Sequence, residues 1–212
     1  MESAINNLKQ RLKSYGPAYT GLLDDARPFL ESGRAVDLEH TFDVLSLLLD
    51  FLEKDEKAAA DHDILIPAAL LHDSGWADVP KDMLSASYGD VQPNNPGKIL
   101  HQERGATISR NLLRKYGWNR ESSDRVAEII AIHDAPKEYA KDRLARIIAE
   151  IDKLARYMPA LFWALIKDGT MNYEKRIRFL ERGIEEWFSI EAFKEQARLL
   201  LKDRKDEGCT PK

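Results

Sequence analysis

ILIPAALLHD, residues 64–73, is the stretch that decides the fold. Eight residues, Ile64 to Leu71, carry no polar side chain, and the run ends abruptly in His72-Asp73. It is too short for a membrane span, which needs about 18–20 apolar residues. It also lacks the alternation of a half-buried strand. It predicts a helix buried on most sides, with Pro67 tolerated in its first turn.

Working outward, every neighbouring segment also reads as helix. Upstream, Asp37 is placed to cap a helix in which Phe42, Leu45, Leu49 and Leu52 recur at three-to-four spacing. Before it, one helix runs from Ser3 to about Ser14, stopped by Tyr15-Gly16-Pro17, and another from about Ala18 to Glu31. Downstream, Pro80 opens a short turn of helix. Residues 87–97, SYGDVQPNNPG, are a loop and the expected lid, in which Tyr88 is placed to stack on a base. Helices follow at about 98–115, 121–133, 141–157, 159–167, 172–187 and 189–203. No run carries strand alternation between hairpin signals. The expected fold is therefore all-α, a single domain over 1–212. Its core spans about 35–158, with N-terminal helices 1–34 and a C-terminal helical appendage 159–212.

Composition agrees. Of 212 residues, 43% are apolar and 32% charged, enough for a core and too apolar for a disordered chain. A net charge of −4 argues against nucleic acid or an anionic membrane surface as the main partner. The longest apolar run, Met158 to Ile166, is nine residues. Residues 1–14 have no signal-peptide core. The single cysteine, Cys209, excludes an internal disulfide and a cysteine-rich zinc site. The expectation is a cytoplasmic protein whose metal site, if it has one, uses nitrogen and oxygen ligands.

Of the five histidines, His40, His72, His101 and His133 sit within or at the ends of four separate helices that carry apolar runs. One histidine on an apolar face is more often a satisfied core residue than a ligand. Four buried imidazoles need partners, and a metal ion is the simplest common one. Asp73 follows His72 directly. Asp152 shares its helix face with Ile148 and Ala155 and so points inward. His62 lies ahead of the apolar helix and reads as a surface residue.

The order His40, His72-Asp73, Asp152 resembles the HD superfamily of metal-dependent phosphohydrolases. LLHDSGWADVPKDML (70–84) is similar to that family's second motif, and HQERGATISRNLL (101–113) to the helix carrying its next histidine. IIAIHD (129–134) and ARIIAEIDKL (145–154) resemble its last motifs. The resemblance implies a two-metal, six-ligand subgroup. His40, His72, Asp73 and Asp152 would hold one divalent transition ion (Fe, Mn, Co, Ni or Zn), and His101 and His133 the other, with Asp73 bridging. Trp76 stands where cyclic-dinucleotide phosphodiesterases carry lysine, and their Gly-Tyr-Pro signature is missing after His133. Dinucleoside polyphosphate hydrolases are the nearer comparison.

The reaction this implies is hydrolysis of a phosphate ester or anhydride by a metal-bridging hydroxide. The partner is then a small phosphorylated substrate. Asp73, Asp134 and Arg104 are the candidate catalytic groups. Asp134 would act as acid, base or partner of a ligand histidine, and Arg104 would lie one turn from His101. Lys153, Arg156 and Lys137 are placed to reach a phosphate, and Trp76 to wall the pocket or fill the core. Two other readings stand beside this one: an HD-type non-haem di-iron oxygenase acting on a small molecule, and a non-catalytic sensor that keeps its metal.

Overall fold

A computed structural model describes residues 2–84, 95–135, 140 and 142–209. Among them there are twelve α-helices and no strand, and no helix is long and apolar enough to cross a membrane. At the centre lie α3 (Asp37–Leu52), α5 (His62–Leu71) and α9 (Arg143–Ala155), each packed on the other two. A second pair, α7 (Pro96–Lys115) and α8 (Arg120–Ile130), closes against α5. The N-terminal α1 (Glu2–Leu12) and α2 (Pro17–Ser32) cover α3. One buried apolar cluster reaches from Ile5 on α1 to Leu201 on α12 (Glu191–Glu207). The remaining helices are α4 (Glu56–Ala59), α6 (Lys81–Leu84), α10 (Pro159–Lys167) and α11 (Tyr173–Trp187).

Local chemistry accounts for the helix starts. Asn95, Asn119, Asp142 and Asn172 each accept from backbone N–H groups in the first turn of α7, α8, α9 and α11. Such caps contribute about 1 kcal/mol apiece. Asn95 to Gly97 thus belong to the start of α7 rather than to a loop, and residues 85–94, with Tyr88, lie outside the described residues.

Two expectations are corrected. Asp37 does not cap α3. It is the first helical residue, and its carboxylate turns back to accept from the Arg34 backbone N–H (2.6 Å) and Arg34 Nε (2.7 Å). Pro67 lies inside α5, which starts earlier, at His62. Proline has no N–H for the carbonyl four residues back. That carbonyl, on Asp63, instead accepts from Trp118 Nε1 at 2.9 Å, which ties α5 to the turn between α7 and α8.

The C-terminal helices are fastened to the centre by polar contacts. Buried Glu150 on α9 accepts from the backbone N–H groups of Ser189 and Ile190 ahead of α12, at 2.9 and 3.0 Å. Tyr157 donates to the Leu180 carbonyl at 2.7 Å.

Candidate metal centre

Five segments bring the six expected ligands together: His40 from α3, His72 and Asp73 from the end of α5, His101 from α7, His133 just past α8, and Asp152 from α9. All six are at most 4% exposed. After His72 the chain leaves the helix into a tight 3₁₀ turn, Ser74–Asp78, which runs against α7. Gly75 makes that approach possible. A Cβ there would stand 1.9 Å from the His101 carbonyl oxygen and 2.4 Å from the Gly105 nitrogen. The glycine two places after the His-Asp pair is thus what lets Asp73 and His101 face each other.

Asp73 is the hub, and its two oxygens look in different directions. Oδ2 is 3.4 Å from His72 Nε2 and 3.9 Å from His40 Nε2. Oδ1 is 3.6 Å from both His101 Nε2 and His133 Nε2. Asp152 Oδ1 joins the first group, 2.9 Å from His40 Nε2 and 3.7 Å from His72 Nε2. The result is two clusters with metal-ligand spacing, His40-His72-Asp73 and Asp73-His101-His133.

The backbone sets the orientation of two rings. His72 Nδ1 donates to the Ala69 carbonyl at 2.8 Å and His133 Nδ1 to the Ile130 carbonyl at 2.7 Å. In each neutral ring the lone pair then sits on Nε2 and points into the cluster. His72 Nε2 is buried and makes no hydrogen bond. Lone pairs and carboxylate oxygens facing one another in a buried space need a positive charge between them. Nitrogen and oxygen donors without sulfur fit a divalent transition ion.

The electrostatics of the bare side chains agree. Burial raises Asp73, but His72 and Arg34 outweigh it and hold the carboxyl well below the usual range. Burial likewise raises Asp152, and Arg156 and His40 overcome it. Burial pushes His72 down, yet Asp73 and Asp152 lift it to about 9. His101, buried beside His133, falls to about 3.

The HD-domain family model matches residues 37–157, more than half of the chain. The chain belongs to the HD-domain family. No curated protein and no solved structure matches it. HD domains form a superfamily of metal-dependent phosphohydrolases, and the buried His/Asp cluster here is consistent with binding divalent metal.

Around this HD cluster lies a solvent-open pocket bordered by His40, Asp73 and Asp152. Asp134, expected as a catalytic group, and Arg156, expected to reach a phosphate, both line it. Arg156 Nη2 is 3.4 Å from both Asp134 Oδ1 and Asp152 Oδ2. Burial raises Asp134, but Lys98, His133 and Arg156 together outweigh it and hold the carboxyl below the usual carboxylate range, so it stays ionised.

Arg104, expected as a catalytic group, and Lys153 and Trp76, expected at the substrate, do not line the pocket. Arg104 is exposed: the 3₁₀ turn covers the α7 face that carries His101 and Gly105, and Arg104 lies off it. Lys153 turns back to donate to the Ala149 carbonyl at 3.1 Å, and burial lowers its pKa. Trp76 is 1% exposed and does not line the pocket. Its Nε1 donates to Asp73 Oδ1 at 3.0 Å, so it holds the hub carboxylate of the cluster. Lys137 lies outside the described residues. His62 is half-buried against Tyr15 and Tyr19, its Nδ1 3.0 Å from the Ala59 carbonyl.

Sequence reasoning missed three cations on the pocket wall: Arg34, Lys98 and Arg176. Lys98 had a signal, since it stands one turn before His101 just as Arg104 stands one turn after. Arg34 and Arg176 had none, because each sits in a charged stretch that reads as solvent-facing.

Proposed function

We propose that this HD protein is a phosphohydrolase that takes a small phosphorylated substrate, ester or anhydride, into the pocket beside its His/Asp cluster. The observation that carries this reading is the ring of cations on the same wall. The cations divide by how tightly they are held. Arg34 is clamped, at 2.7 Å to Asp37 and 2.9 Å to Asp73 Oδ2, so its task is to fix the hub carboxylate. Lys98 is 3.3 Å from Asp134, and both Arg156 contacts are 3.4 Å. Charge-assisted pairs settle at about 2.7–2.9 Å. These two cations are therefore loosely held and can turn to a phosphoryl group, with ionised Asp134 orienting both.

His40, His72, Asp73 and Asp152 would hold one divalent ion, and Asp73, His101 and His133 a second, because the Asp73 oxygens serve the two groups separately. When bound, such ions lower the pKa of water and neutralise phosphoryl charge. The leaving group needs a proton, and ionised Asp134 is not its donor; solvent at the pocket mouth supplies it.

The test is metal analysis of protein purified without added metal. Nucleotides, dinucleoside polyphosphates and simple phosphate esters are then screened with and without oxygen. Phosphate release that is indifferent to oxygen is the expected result. Oxygen consumption coupled to turnover would replace this reading with an oxygenase, and no phosphate release with any transition metal would remove it.

A further inference from the structure

The pocket is not uniformly polar. Its far wall is Leu161 and Leu165 of α10 and Phe179 of α11, and among these apolar side chains α11 places Arg176. Arg176 is 1% exposed. Among the described residues the one hydrogen bond of its side chain is from Nη2 to the Arg156 carbonyl at 2.8 Å, and its Nε has no partner. The guanidinium otherwise lies near the Phe162 and Phe179 rings, 6.0 and 5.6 Å from their centroids.

The contrast with its neighbours is the point. Arg34, Lys98 and Arg156 each face a carboxylate. Among the described residues no carboxylate forms an ion pair with Arg176. A buried charge without a counter-ion is strongly unfavourable. Burial, with Arg156 nearby, lowers Arg176 to about 9, the response of a cation that lacks an anion. The bond to the Arg156 carbonyl helps the C-terminal end of α9, but it uses one donor of five.

We propose that Arg176 receives a second anion of the substrate, a carboxylate or phosphoryl group carried a short apolar spacer away from the phosphoryl group at the His/Asp cluster. The inference rests on the reading above for the first anion. It narrows the substrate class to small molecules with two anionic ends and excludes simple monoesters of neutral alcohols as the preferred ligands. Arg176 is on this account a specificity residue, contributed from outside the region that matches the family.

Phosphonates test this without turnover. Calorimetry on the metal-loaded protein compares propylphosphonate with 3-phosphonopropionate and propane-1,3-diphosphonate, which differ from it in the distal anion. A charge-assisted bond in a buried site predicts about tenfold tighter binding of one or both dianions. The dianion that gains tells carboxylate from phosphoryl. In Arg176→Met that preference disappears, while propylphosphonate binds as before. A purely structural Arg176 would instead lower the melting temperature and leave the ratio unchanged. If Arg176→Met does not fold, Arg176→Lys decides, since loss of the planar fork should cut the preference at least threefold. Equal binding of all three ligands by the wild type, or a preference that survives the substitution, overturns the proposal. The phosphoester screen is independent, so a protein that shows the dianion preference without phosphate release sinks the hydrolase and keeps this site.

Discussion

Trp76 lies flat on His101, ring centroids 4.1 Å apart and planes 8° from parallel. The other face of the indole carries the Arg34 guanidinium, 4.0 Å from the ring centroid. The same indole donates Nε1–H to Asp73 Oδ1. One buried side chain thereby fixes a cluster imidazole, the hub carboxylate and the arginine that pairs with that carboxylate.

Trp76→Phe separates these roles. Phenylalanine keeps most of the stacking area and removes the donor. A buried carboxylate oxygen losing a hydrogen bond costs about 1.5–3 kcal/mol, and loss of a partner behind a metal ligand costs about 10–100-fold in affinity. The variant should fold and bind metal at least tenfold more weakly in chelator competition. Unchanged affinity would mean the indole only fills space.

Gly75→Ala should be among the most damaging single-methyl additions. Its Cβ meets backbone atoms, the His101 carbonyl and the Gly105 nitrogen, which cannot swing away as a side-chain end does. Overpacking costs about 1–3 kcal/mol where neighbours can yield, and more is expected here. Calorimetric melting should fall by about 6 °C or more, at about 2–4 °C per kcal/mol for a chain of this size. Metal content should drop with it.

Asp73→Ala and His101→Ala should differ in stoichiometry. Asp73 belongs to both clusters and His101 to one. Elemental analysis should find the first variant without bound metal and the second with about half the wild-type content. Equal losses in the two would argue for a single ion.

Much of this was legible in the sequence, and the part that was not has a physical reason. Period and punctuation place α3, α7, α8 and α9, and the unbroken apolar run ending in His72-Asp73 places α5. The six ligands stood out because histidines and aspartates at apolar positions have no cheap alternative. Asp37 misled because capping chemistry and a bond back to Arg34 use the same residue type at the same place. Arg104 and Lys98 are equivalent by spacing, and only the path of the Ser74–Asp78 turn across α7 decides between them. Trp76 was open between wall and core for the same reason. The role of Arg176 depends on which way a charged helix docks, and amphipathic pattern alone does not give that.

Asp43 lies one turn along α3 from His40. Burial, its largest influence, lifts the carboxyl to about 6 against the opposing pull of His40 and Arg204, and its Oδ2 has no hydrogen-bond partner. An acid whose folded pKa is raised binds its proton more tightly folded than unfolded, where it titrates near about 4. Between about 4 and 6 the folded state holds a proton that the unfolded state has lost, so stability falls as pH rises through that window. Above it the penalty of a half-buried carboxylate whose Oδ2 lacks a hydrogen-bond partner is complete. Asp43→Asn removes the charge at nearly constant volume. Calorimetry should therefore find the variant melting a few degrees above the wild type at pH 7.5, with the gap closing below about pH 4. A variant less stable than the wild type at pH 7.5 would show instead that the Asp43 charge is needed where it stands, against Arg204 or behind His40.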